Sequence, residues 1–325
     1  MLVKNPNSKR ENAFRSIYDD VGFQLVCQRK DNLPNFPYIV DVELTNHCNL
    51  KCIFCAGQNA MTREKGFISE KLLMKAVDEC SLFNTPIRFI RWGEPFLHPK
   101  IISFIEYVKS RGLLLHITNN GQIMKENHMK ALVEHKVDSI IFSFQGATKD
   151  RYELMRNNEN YNILCKNILK LIDIRGDKEK PFIQISCTMT DESKEEIKDF
   201  VNYWQNIVDF IGIGKTNLSR LHALKPELFI ASNGLMNLIN KETIKKAYRP
   251  CDEVYQKLSV DWDGKVTCCC DDFDNFLTIG DLNKSTIFDI WNNNRKLNIF
   301  RELLDDNMQR SLSLCNTCYH TYEEF

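Results

Sequence analysis

Between about residue 38 and about residue 214, short β-branched or aromatic runs alternate with longer segments of helical period. This alternation constrains the fold more than any other feature of the chain. The strand-like runs are 38–45, 87–92, 113–118, 139–144, 182–189 and 210–214. Helical segments are expected between them. One begins near Ser69 and Glu70, one follows Pro99 and stops at Gly112, and one covers 125–135. A fourth runs from about Lys149 to Arg175 with a break around Asn157–Asn160. A fifth starts at Asp191, with Ser193 and Glu196 as an alternative capping box. Strands and helices in strict alternation make parallel βαβ units with right-handed crossovers. Six such units predict an α/β fold, a partial (β/α)6 TIM-like barrel, with the chemistry on the loops that follow the strands.

The rest of the chain has a different texture. Residues 1–37 are expected as an N-terminal extension, 38–214 as the partial barrel and 215–250 as a bridge packed over its mouth. Residues 251–325 are expected as a small α+β domain. In that domain the runs 257–262 and 265–270 flank Asp263-Gly264, a hairpin signal. A helix should follow from Ser285, anchored by Phe288, Ile290, Trp291 and Leu297. A unit this small gains from a metal staple.

Composition narrows the function. Lys plus Arg and Asp plus Glu are both 43, so the formal net charge is zero and no broad basic field is offered to nucleic acid or an anionic membrane. The polar N-terminus has no signal-peptide core and no run is long enough to span a bilayer, which predicts a cytoplasmic protein. Thiols stay reduced there, so 13 cysteines do not read as a disulfide framework. Three lie at 48, 52 and 55 and six at 251, 268, 269, 270, 315 and 318. Cys27, Cys80, Cys165 and Cys187 are scattered and read as core packing.

Cys48-x3-Cys52-x2-Cys55 follows the first barrel strand, on the face where an active site is expected. Three close thiolates can wrap one side of a cubane cluster. With no fourth cysteine nearby, one iron would keep an open position, as catalytic metal sites do. The competing readings are a structural zinc site with His47 and no metal at all.

The segment VDVELTNHCNLKCIFC resembles the signature of the radical S-adenosylmethionine (SAM) superfamily, with Phe54 at its aromatic position. The resemblance implies a 4Fe–4S cluster on Cys48, Cys52 and Cys55 whose free iron chelates SAM. It also implies reductive cleavage to a 5′-deoxyadenosyl radical that abstracts hydrogen from substrate. Trp92-Gly93-Glu94-Pro95 resembles the family's Gly-Gly-Glu-Pro, which receives the methionine amino group, with Trp92 in place of the first Gly. Thr118-Asn119-Asn120-Gly121 resembles the family's Thr-Asn-Gly. Ser143, Gln145 and Arg156 stand where relatives meet the ribose or carboxylate of SAM. Ile211-Gly212-Ile213-Gly214 stands where relatives lay backbone against adenine.

Cys251-x12-Gly264-x4-Cys269, followed by Cys315-x2-Cys318, offers four thiols, which suit a second cluster or a tetrahedral zinc. The pattern resembles the auxiliary-cluster domains of the SPASM and twitch subgroup. By that resemblance Cys251, Cys269, Cys315 and Cys318 hold one auxiliary 4Fe–4S cluster, while Cys268 and Cys270 flank the ligand. The arrangement is similar to that of the 2-deoxy-scyllo-inosamine dehydrogenases of the family. It implies oxidation of an alcohol on a small polyol, aminocyclitol or sugar, with the auxiliary cluster taking the second electron. A flavodoxin or ferredoxin would be the electron donor. Candidate substrate contacts are Arg156, Lys215, Arg220 and His222, with His98 and His116 also near the barrel loops or strands. The alternatives are peptide or protein modification, a sugar epimerase using Cys165 or Cys187 as hydrogen donor, and a non-catalytic zinc-binding module.

Overall fold

The computed structural model describes residues 1–20, 33–157, 159–216 and 251–306, together with positions 218, 225, 227, 308, 311, 312, 314, 315 and 318. Ten strands in these residues form one sheet: β1 (Leu2–Lys4), β2 (Ile39–Val42), β3 (Ile87–Phe89), β4 (Leu115–Asn119), β5 (Ser139–Gln145), β6 (Phe182–Met189), β7 (Phe210–Lys215), β8 (Lys257–Val260), β9 (Lys265–Thr267) and β10 (Thr278–Asp281). Their order is β1-β7-β6-β5-β4-β3-β2-β8-β9-β10, with β1 and β10 as the two edges. The sheet is parallel from β2 through β7, as the alternation predicts.

Helices cover its outer face, and their ends follow local chemistry. Ser69 caps Glu70–Leu82 by accepting from the Leu72 N–H at 3.2 Å, and Ser193 with Glu196 closes a capping box on Lys194–Trp204. The expected break near Asn157 is present. Lys149–Met155 ends there, and Tyr161–Arg175 starts afresh under an Asn160 cap. Period two decides which side chains meet the helices. Ile183, Ile185 and Cys187 of β6 are buried in the outer core, while Gln184, Ser186 and Thr188 share the opposite, inner face.

Three features depart from expectation. Residues Leu2–Lys4 do not trail from the barrel; they pair antiparallel with Phe210–Gly212 and cover the β7 edge. β8 does not belong to a separate sheet; it pairs parallel with β2, so the C-terminal hairpin continues the barrel sheet. Phe288 is 41% exposed and stacks on Phe83, whereas Ile287, Ile290 and Trp291 are buried. The helix Ile287–Asn292 turns positions i, i+3 and i+4 inward, which leaves Phe288 on its rim. Cys80 and Cys187 are buried as expected and Cys165 is half-buried, while Cys27 and most of 215–250, including Arg220 and His222, lie outside the described residues.

Candidate active site

The three-cysteine loop leaves β2 on the C-terminal face of the parallel strands and is fixed by its own backbone. Asn59 donates to the carbonyls of Cys52 (2.9 Å) and Cys55 (2.8 Å), and the Cys48 sulfur accepts from the Leu50 N–H at 3.4 Å. The Ile53 N–H donates to the carbonyl of Met155, tying the loop to the end of the helix Lys149–Met155.

The Trp92-Gly93-Glu94-Pro95 turn packs under this loop. A β-carbon on Gly93 would lie 2.0 Å from the Thr45 oxygen and 2.7 Å from the His47 oxygen, so only glycine lets the two backbones approach. The Glu94 N–H donates to that His47 carbonyl at 2.8 Å. The Glu94 carboxylate is buried and accepts from the N–H groups of Phe96 (3.1 Å) and Asn120 (2.7 Å). Burial pushes its pKa up to about 7, against the opposing pull of those two N–H groups and of Arg156.

Pro95 opens a short 3-10 turn, Pro95–Leu97, and directs the chain away from the site. Of the two consecutive asparagines, Asn120 reaches the loop. Its Nδ2 donates to Asn49 at 2.9 Å and lies 3.8 Å from the Cys48 sulfur. Asn119 donates to the Ile141 carbonyl and leaves its own buried oxygen without a partner.

Arg156 sits where the fourth helix breaks, which explains why a residue so far along the chain meets the thiols. It donates to the Cys52 sulfur at 3.5 Å and to the Ser143 carbonyl at 2.7 Å, and its guanidinium lies over the rings of Phe54 (5.5 Å) and Tyr152 (5.7 Å). It is buried, and its Nε has no partner in the protein. Burial pushes Cys48 up to about 12 and Cys55 up to about 11, with the neighbouring thiols adding repulsion; Cys52 is also raised by burial, while Arg156 pulls it down. Three thiols, Cys52 buried and Cys48 and Cys55 half-buried, that resist ionising alone suit a site whose bound metal compensates the thiolates. An unpartnered guanidinium N–H beside them suits a carboxylate ligand. The donor set therefore fits a cluster with SAM upon it.

Other expected positions divide. Gln145 shares the inner face but is already occupied, donating to the Thr188 carbonyl and to Thr216 and accepting from the Thr188 hydroxyl. The Ile211 side chain is buried on the outer face, and its backbone is flanked by Val3 and Ile185. His98 contacts the Ile68 carbonyl at 3.1 Å, and His116 is buried between Ser139 and Thr118, where desolvation, with Arg88 adding, pushes its pKa down to about 3. Both read as core histidines. Asn59 and Tyr152 support the site yet carry no isolated sequence signal, whereas Asn120 lies within the Thr118-Asn119-Asn120-Gly121 run that the sequence marked. A cavity of about 280 Å³ between outer helices, lined by Leu73, Phe104 and Tyr107 among others, lies away from the thiols.

Several C-terminal cysteines influence one another in pairs. Cys251 is raised well above the usual thiol range, by burial first and then by Glu253, with Cys270 and Cys318 adding. Cys269 hydrogen-bonds Cys270, and Cys268, raised to about 12 by burial, feels Cys315.

The radical SAM superfamily model matches residues 42–203, and the SPASM model of an iron–sulfur cluster-binding domain matches 251–319. The chain belongs to the radical SAM superfamily. Its fold and its cofactor classes, SAM and 4Fe–4S clusters, follow from that membership. This radical SAM chain is 26% identical over 292 residues to the tungsten-containing aldehyde ferredoxin oxidoreductase cofactor-modifying protein of Pyrococcus furiosus, covering 78% of this chain and 80% of the relative. It is 21% identical over 286 residues to the SAM-dependent 2-deoxy-scyllo-inosamine dehydrogenase of Niallia circulans, covering 86% and 92%. The structure of Streptococcus suis SuiB bound to precursor peptide SuiA superposes with a TM-score of 0.66 at 16% identity, over 88% of this chain and 72% of that one. No helix among the described residues is long and apolar enough to cross a membrane.

Proposed function

We propose that this radical SAM enzyme oxidises an alcohol on a small polyol, aminocyclitol or sugar. The observation that carries the reading is the chemistry of the barrel's inner face near the thiols. Ser143, Gln145, Ser186, Thr188, Gly212 and Gly214 occupy matching positions on β5, β6 and β7, all uncharged and all small or hydrogen-bonding. Such a surface suits a hydroxylated ring better than an apolar substrate. The near full-length alignment with a dehydrogenase of that substrate class supports it.

Bound SAM and its cluster supply the hydrogen-abstracting radical, and the auxiliary cluster supplies the acceptor for the remaining electron. Cys48, Cys52 and Cys55 would hold the first cluster, and Cys251, Cys269, Cys315 and Cys318 the auxiliary one. Arg156 would orient the SAM carboxylate, and Glu94 with the Gly93 backbone would accept from its ammonium group. The hydrogen-bonding positions of β5, β6 and β7 would orient the carbinol carbon. A flavodoxin- or ferredoxin-class protein would deliver the initiating electron.

The test is anaerobic turnover with SAM, a reductant and polyols, aminocyclitols and sugars deuterated at their carbinol carbons. Deuterium appearing in 5′-deoxyadenosine, with a carbonyl product in equal amount, is expected. Deuterium transfer from peptides but from none of the small alcohols would replace this reading with peptide modification, a possibility raised by the likeness to SuiB.

A further inference from the structure

The interface between the turn after β3 and the C-terminal cysteine loop carries a charge network with no role in the chemistry above. Arg91 immediately precedes the SAM-binding turn, and its side chain is 2% exposed. Its guanidinium donates to Asp261 at 3.0 and 3.2 Å. It also donates to the backbone carbonyls of Cys269 (3.0 Å), Cys270 (3.3 Å) and Asp272 (2.9 Å). Trp92, which stands where the family motif has glycine, sends its indole N–H to the same Asp272 carbonyl at 3.1 Å and lies edge-on to Phe273.

A second arginine completes the contact. Arg63 forks onto Glu43 at 2.6 and 2.8 Å, donates to the Phe273 carbonyl at 2.9 Å and stands 3.8 Å from Asp261. Two cations, Arg91 and Arg63, and three buried carboxylates, Glu43, Asp261 and Asp272, thus meet between the barrel and residues 269–273. Such a buried network is costly to desolvate, and an apolar interface would hold the two parts together at least as well. The network is also asymmetric. The Arg91 guanidinium touches the cysteine-bearing backbone itself, whereas Asp261 reaches that backbone through Arg91.

We propose that Arg91 is a positioning residue for the auxiliary cluster. It fixes the cysteine loop to the SAM-binding turn and places a permanent positive charge beside the cluster, which keeps the cluster easier to reduce. Reduction adds one negative charge, and nearby cations and hydrogen-bond donors favour that state. Asp261 opposes the effect by partly neutralising the guanidinium. The inference rests on the reading of Cys251, Cys269, Cys315 and Cys318 as ligands of one cluster.

The experiment uses the full chain with Cys48, Cys52 and Cys55 replaced by alanine, reconstituted anaerobically so that only the auxiliary cluster remains. Its midpoint potential is followed by electron paramagnetic resonance during a redox titration, with and without Arg91→Met or Asp261→Asn. Arg91→Met should shift the midpoint to more negative potential and Asp261→Asn to more positive potential. Absence of a shift in both, or shifts of the same sign, overturns the proposal. If one variant fails to hold iron, the sign of the shift in the other decides. A parent chain that binds no iron removes the auxiliary-cluster reading itself, and the proposal with it, an outcome distinct from an unmoved potential.

Discussion

Arg156 donates to the sulfur of Cys52 at 3.5 Å although 104 residues separate them. The contact joins the end of a helix to the cysteine loop, and it leaves the guanidinium Nε buried and unpartnered. On the proposed function, a SAM carboxylate would be the acceptor that this group lacks. Replacing Arg156 by methionine should weaken SAM binding by about 10- to 100-fold, the worth of one or two hydrogen bonds to charged groups. Equilibrium dialysis against the reconstituted protein checks this, with iron content measured in the same samples. Unchanged affinity at unchanged iron content would remove Arg156 from the SAM site.

Gly93 sets a steric prediction. Its missing β-carbon would meet two backbone oxygens of the cysteine loop, which cannot swing aside as a side chain can. Gly93→Ala should destabilise the chain by about 1–3 kcal/mol, the usual cost of overpacking, and displace the loop. Gly214→Ala is the control, because a β-carbon there meets nothing within 4 Å. Denaturant midpoints of the two variants should separate clearly, and equal midpoints would contradict the packing described.

Glu94 gives a pH dependence. Burial raises its folded-state pKa to about 7, above an unfolded value of about 4.3. Between those values the folded chain holds a proton that the unfolded chain has released. Stability from this group therefore falls as pH rises from about 4.3 to 7. Glu94→Gln should flatten that part of the profile, as read from urea midpoints of the iron-free protein. Parallel profiles for the two proteins would count against a protonated, buried Glu94.

Cys187 points to the outer core, where its thiol contacts the Gly146 carbonyl, and Cys165 sits on an outer helix. Neither is placed to return hydrogen to a substrate radical. Cys165→Ala and Cys187→Ala should leave the yield of 5′-deoxyadenosine and the deuterium distribution in product unchanged. Loss of product with 5′-deoxyadenosine formation intact would instead favour an epimerase.

The parallel strands and their crossover helices were legible because period two and period 3.6 alternate cleanly and the caps at Ser69 and Ser193 mark helix starts. The cysteine motif was legible because its three thiols fall on one loop after β2. What the sequence hid depends on distant partners. Leu2–Lys4 is too short to show a period and becomes a strand only against β7. The pairing of β8 with β2 joins residues far apart in the chain, so no local pattern marks it. The choice of Asn120 over Asn119 follows from strand parity: Asn120 falls on the same side as His116 and Thr118. Arg91 carries no motif of its own, because its backbone partners lie on the distant cysteine loop.

The decisive measurement is iron, sulfide and 5′-deoxyadenosine in the anaerobically reconstituted chain, with and without the triple replacement of Cys48, Cys52 and Cys55 by alanine. Two 4Fe–4S clusters require about eight irons, falling to about four in the variant, with reductant-dependent 5′-deoxyadenosine formation lost. Zinc in place of iron, or SAM cleavage that survives the triple replacement, would contradict the assignment of the radical chemistry to this loop.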